Sequence, residues 1–202
     1  LDEGKLLFTS WEYQDKSIFT WQGLYTMNPN GRQLKLYNGF TYTIPNALYG
    51  AKQIPGSGKV LAMAAAHHKI PIGDIVIIDR TKGTESLESL HRVTRATPWE
   101  FTQAPTWNEG VNAREYWQKG DVLYEYAYAD PWPVTEDLIL ASYKGKTQGN
   151  PNPHHRLVML THDGAMADLL QLDGASCFSA VPLNPRTPPH AIPGDVPTEA
   201  GE

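Results

Sequence analysis

The sequence predicts an all-β protein, a β-propeller of about three antiparallel blades in an incomplete ring, with a long aromatic-rich insertion and an extended proline-rich tail. Three observations predict it. A strand-then-turn phrase occurs three times, over Gly23 to Gly31, Gly73 to Gly83 and Arg156 to Gly164. Each runs from an apolar stretch into a polar turn bearing glycine, and Asn-Gly and Asp-Gly turns accept the positive backbone angles that hairpins need. Each phrase also has a strand upstream, at Lys5 to Ser10, Lys59 to Ala65 and Asp137 to Tyr143, and a short stretch downstream, at Gln33 to Tyr37, Thr84 to Leu90 and Ala167 to Leu172. Finally, 17 glycines and 16 prolines suit many turns and few long helices. Small antiparallel sheets in series read as propeller blades.

In chain order, blade one covers residues 5–37, blade two 59–90 and blade three 137–172, all inside a propeller segment of residues 1–185. Matching Phe8 to Ala62 and Gly31 to Gly83 gives a spacing of roughly fifty residues, enough for one four-stranded blade and a loop. The stretch from Asn38 to Gly58 reads as a blade-to-blade connection with one outer strand. The step to Gly164 is wider, so an insertion lies between blades two and three, from Val93 to Tyr128, with a short helix expected over Asn112 to Gly120. Alternation within the strands is partial, as expected where both faces of a sheet are packed. From Pro182 the chain reads as an extended strap, and residues 186–202 as a linker to a further domain. A chain that starts at Leu1 and enters a strand by Lys5 looks like a piece of something longer. Three blades leave two open sides, and arrays need neighbours or caps to cover their ends.

Composition narrows the function. A formal net charge of −5 argues against a nucleic-acid surface, which needs a concentrated basic face. Cys177 is the single cysteine, so the sequence holds no internal disulfide, no Cys-x-x-Cys metal site and no Cys-x-x-Cys-His for haem attachment. No apolar run reaches the length of a membrane span. Nucleophile-elbow, zinc-protease, P-loop and dinucleotide fingerprints are missing from the sequence. Gly56 to Lys59 has the look of a phosphate loop but lacks its spacer, and reads as a turn before a strand.

Several segments carry a family likeness. They are Trp11 to Asp15, Leu24 to Gly31, Ala51 to Lys59, Ala66-His67-His68 followed by Gly73 and Ile78-Asp79, Asp130 to Asp137 with Ser142-Tyr143, and Ser176-Cys177 followed by Pro182 to Arg186. In matching order, from about Lys5 to Pro193, they resemble the middle domain of the hydrazine synthase alpha-subunit family. The resemblance implies a TolB-like or WD-repeat-like β-propeller within a large secreted, extracytoplasmic protein. It also implies no cofactor in this segment, with haem c in flanking c-type cytochrome domains. The implied partners are flanking domains or subunits of the same complex, c-type cytochromes among them. One turn departs from the pattern, at Thr161-His162-Asp163-Gly164.

The candidate residues follow. His67 and His68 close a strand, and either imidazole could serve as a metal or haem-edge ligand, though adjacent strand residues point to opposite faces and do not readily share one metal. Cys177 is a third candidate ligand, with burial as a small hydrophobe the plainer reading. His154 and His155 read as an exposed loop. Glu136 and Asp137 diverge on a strand, which argues against a shared proton and for bonds to loop amides. Trp99, Trp107, Tyr116 and Trp117 in the insertion are the candidate partner-binding residues, since aromatic side chains anchor interfaces. The expected function is a non-catalytic scaffold. The alternatives are a ligand-supplying part of a haem- or metal-dependent oxidoreductase and a glycan- or peptide-binding propeller.

Overall fold

Among the described residues, short apolar runs rich in β-branched residues, cut by glycine turns, become eleven strands. They are β1 (Leu6–Trp11), β2 (Gln22–Met27), β3 (Lys35–Asn38), β4 (Ala47–Gln53), β5 (Val60–Ala65), β6 (Ile72–Ile78), β7 (Leu90–Arg92), β8 (Ala127–Pro133), β9 (Leu138–Lys144), β10 (Arg156–Thr161) and β11 (Met166–Leu170). The computed structural model describes residues 1–11, 22–39, 45, 47–65, 72–95, 127–145, 154–185 and 187–192. The protein is all-β, and its strands join into one open mixed sheet.

The sheet divides into three antiparallel meanders. The first is β1-β2-β3, the second β4-β5-β6-β7 and the third β8-β9-β10-β11. The seams between them are thin. Among the described residues a single parallel pair, Gln22 with Ala47, joins the first to the second, and two pairs, Ile72 with Ala129 and Gly73 with Tyr128, join the second to the third.

Cohesion across the seams comes from apolar packing. Val60, Ala62, Ala64, Val76 and Ile78 of the second meander pack with Leu24 and Tyr37 of the first. By strand alternation, Leu61, Ile75 and Ile77 point the other way, and they pack with Tyr128, Ile139, Ala141, Val158 and Leu160 of the third. The second meander is therefore buried on both faces, which explains why Val60 to Ala65 is apolar throughout instead of alternating.

The second and third meanders superimpose residue for residue in register. β4 shifts register against β5 between Tyr49 and Lys52, and β8 shifts against β9 between Ala129 and Trp132. These are the same step of the ladder, and each bulge holds one residue at positive φ, Gly50 at 60° and Asp130 at 48°. In this frame Ala62 and Val76 correspond to Ala141 and Val158, and Leu61, Ile75 and Ile77 correspond to Leu140, Leu157 and Met159. Each meander presents the same face to its predecessor.

An ion pair repeats too, with its charges exchanged. Arg92 Nη2 donates to Asp74 Oδ2 at 2.5 Å, and Arg156 Nε donates to Asp168 Oδ1 at 2.6 Å. Asp74 and Arg156 occupy the same place on the third strand of their meanders, and Arg92 and Asp168 the same place on the fourth.

Several expectations need correction. Ala47–Gln53 is the first strand of the second meander, not an outer strand in a connection. The insertion cannot extend through Tyr128, because β8 begins at Ala127 and Tyr128 lies in the core. Asp79 to Gly83 is no hairpin turn: Asp79 caps a short 3-10 turn, Arg80–Lys82. A second such turn, Leu87–Ser89, lies within the stretch read as following on, and β7 starts only at Leu90. The other two glycine turns do close hairpins, Gly31 N bonding Asn28 O and Gly164 N bonding Thr161 O, each at 2.9 Å. The expected helix over Asn112 to Gly120 lies outside the described residues.

Candidate functional site

The first strands of the second and third meanders lie close together, and their matching bulges set the site. A bulge turns the strand and re-aims the side chain that follows it. Here the following residues are Lys52 and Trp132, at corresponding positions, and the Lys52 ammonium lies 5.4 Å from the Trp132 ring centre. Lys52 Nζ also donates to Pro131 O at 3.2 Å and to Gly50 O at 3.1 Å, binding β4 to β8. On the other side Thr9 Oγ1 donates to Leu48 O at 2.6 Å, which ties β1 to β4.

Over these strand ends runs the tail. After β11 the chain turns back, and Cys177 N donates to His155 O at 2.8 Å. His155 N donates to Ser176 Oγ at 3.0 Å, and the Phe178 and His155 rings sit 4.4 Å apart. Ser179 Oγ then donates to Asp130 Oδ2 at 2.9 Å. Asp130 stands at positive φ where the sister strand has glycine, a conformation that Asp tolerates better than most residues and that its bond to Ser179 helps hold. The tail's described residues continue without regular structure to His190, whose N donates to Asp2 O at 2.9 Å. Gly4 makes that approach possible, since a Cβ there would fall 2.0 Å from His190 O. The tail thus crosses from the third meander to the first.

Between the tail and the strand ends lies a cleft of about 700 Å³. Lys52, Trp132, Pro133 and Val134 line it from the sheet, Pro182, Asn184, Pro185, Thr187, Pro188 and His190 from the tail, and Asp2 and Gln53 at the rim. Burial lowers the Lys52 pKa, and the Asp130 charge works in the opposite direction. A second, more open hollow of about 410 Å³ lies between the second and third meanders, walled by Thr94, Arg95, Tyr128, Tyr143 and Asp163. Tyr128 is pushed up to about 12, foremost by burial and then by Tyr143 and Asp74, so its phenol keeps its proton at neutral pH.

Of the residues singled out from sequence, His67, His68, Trp99, Trp107, Tyr116 and Trp117 lie outside the described residues. Cys177 is neither fully buried nor exposed, and sits in the tail instead of a strand. Among the described residues no three His, Cys, Asp or Glu side chains converge in a group that could hold a metal ion. Among the described residues no helix is long and apolar enough to cross a membrane. Glu136 and Asp137 do diverge, but towards side chains and not loop amides: Glu136 Oε1 lies 2.9 Å from Lys59 Nζ and Asp137 Oδ1 3.5 Å from His162 Nδ1. Gly56 to Lys59 is the turn between β4 and β5, with Ser57 N bonded to Ile54 O at 3.1 Å. Sequence reasoning missed Lys52 and Asp130 as site residues. The pairing of a glycine in one first strand with an aspartate in the next was the signal available, and it becomes visible only once the two strands are aligned.

His155 is half-buried instead of lying in an open loop. Burial, then Lys144, holds its pKa below the usual 6.5, against the pull of Asp130. A histidine with a depressed pKa binds protons more weakly in the docked state than in the released one, so protonation favours release. The tail contact is thus complete above pH 6.5 and weakens as pH falls below it. The exchange rate of the Cys177 amide, relative to its intrinsic rate, is expected to rise on acidification in the native protein and to stay flat in His155→Phe. Identical pH profiles for the two proteins would count against this.

No family model matches this chain, and neither a curated protein nor a solved structure shows significant similarity to it.

Proposed function

We propose that the chain is an arc of a β-propeller that acts as a non-catalytic scaffold, docking further sheet wedges from neighbouring domains or subunits. One observation carries this reading. Leu61, Ile75 and Ile77 of the second meander are buried by the third, and their counterparts Leu140, Leu157 and Met159 form the third meander's far face, where each is left partly exposed. A face of the same composition and register fits a partner of the same kind. The repeated bulges and the exchanged ion pair support a blade-like repeat, as does the first meander, which holds three strands among the described residues where its successors hold four. The likeness to the hydrazine synthase alpha-subunit middle domain agrees with such an arc. It also makes an extracytoplasmic setting, with c-type cytochrome neighbours carrying haem c, part of the proposal.

Sedimentation of the chain tests the reading. An open apolar face is expected to give concentration-dependent association, and Leu157→Asp with Met159→Asp to abolish it while the far-ultraviolet spectrum is kept. A chain that sediments as a monomer at every concentration, with or without the substitutions, would overturn the docking face.

A further inference from the structure

The geometry points to a small-molecule site in the cleft beneath the tail: it binds an organic monocarboxylate, with the Lys52 ammonium taking the carboxylate and Trp132 and the tail prolines taking the apolar body. The inference stands on the cleft itself and not on the propeller reading.

The volume, about 700 Å³, lies in the range of pockets that enclose small ligands. Its walls divide chemically. Trp132, Pro133, Pro182, Pro185 and Pro188 supply flat, rigid apolar surface, which loses little conformational entropy when a ligand packs on it. Lys52 supplies the charge.

That charge is undercompensated. Two of the three ammonium protons go to neutral main-chain carbonyls, those of Gly50 and Pro131. Among the described residues no carboxylate comes within ion-pair distance of Lys52. The lowered pKa of this lysine agrees with an ammonium whose loss of water outweighs the pull of the Asp130 charge. A carboxylate reaching the third proton would form a charge-assisted hydrogen bond, the stronger kind.

Asp2 sets the limit on charge. Its carboxylate stands at the rim, held by Gln53 Nε2 at 2.8 Å, and would repel a second negative group on the ligand. One carboxylate is therefore preferred over two.

The test is an NMR titration of the full chain with benzoate, its neutral isostere benzamide, the dianion phthalate and inorganic phosphate, read at the Trp132 indole N–H. Benzoate is expected to give a saturable shift, with benzamide and phthalate each binding roughly tenfold more weakly or less. Lys52→Met is expected to bring benzoate down to the level of benzamide while amide signals far from the cleft stay in place. Equal affinity for benzoate and benzamide in the native chain would overturn the role of Lys52, and needs no variant to be read. Phosphate binding as tightly as benzoate would overturn the apolar half, and a shift that does not saturate would overturn the site.

Discussion

Gly73→Val is expected to destabilise the protein by about 3 kcal/mol or more, the scale of a severe overpacking in a rigid core. Gly73 lies where β6 is still paired to β8 and has just reached β5. A Cβ at this position would fall 2.1 Å from Ala64 O and 3.2 Å from Ala65 Cα. Both atoms are backbone in the most buried strand of the protein, so neither can move without pulling β5 away from β4 or β6. The requirement is one of space, since no positive φ is involved at Gly73. Urea unfolding reads the effect. A loss below about 1 kcal/mol, the range of an ordinary surface change, would mean that the seam between the second and third meanders is soft.

Asp74→Ala is expected to cost about 3 kcal/mol or more, because it removes a fully buried carboxylate on which the Arg92 and Thr94 donors converge. Asp74 is fully buried and bridges two strands of the second meander to the residue beyond them: it accepts from Arg92 Nη2 at 2.5 Å and from Thr94 Oγ1 at 2.9 Å. Thr94 Oγ1 in turn accepts from Ile75 N at 2.9 Å, so the network also holds main chain. Asp74→Asn keeps a hydrogen-bonding oxygen and is expected to cost less than Asp74→Ala. The sister pair is the control. In the third meander the acid is the exposed partner, the Asp168 side chain being 56% exposed, and Arg156 keeps its contact with the Tyr143 ring, 4.9 Å away, so Asp168→Ala is expected to cost less than Asp74→Ala. Equal losses for Asp74→Ala and Asp168→Ala in urea would show that burial of the acid does not govern the pair.

That contrast shows what could be read from residues alone. The turn phrases gave β2, β6 and β10, and the stretches upstream gave β1, β5 and β9, because apolar runs and glycine turns act locally. The first strands of the second and third meanders, β4 and β8, were missed or misplaced for a definite reason. Gly50 interrupts one, and Pro131 and Pro133 the other, and such residues count against a strand unless a bulge absorbs them. The bulges exist because β5 and β9 lie alongside to hold them.

The cleft was less legible still. Pro182 to Pro188 announces an extended segment, and this is a local property of proline. Where that segment lies depends on the bonds from Cys177 to His155, Ser179 to Asp130 and His190 to Asp2, each spanning a long stretch of chain.

By itself, then, the amino-acid order determined an all-β chain, its hairpins and its apolar strands, because turn angles and side-chain alternation are properties of neighbouring residues. Only the tertiary structure decided that Lys52 and Trp132 stand together, that one meander is buried on both faces, and that an acid and a base trade places between consecutive sheets. Those outcomes depend on contacts between residues far apart in sequence, where desolvation and packing, and not local preference, set the energy.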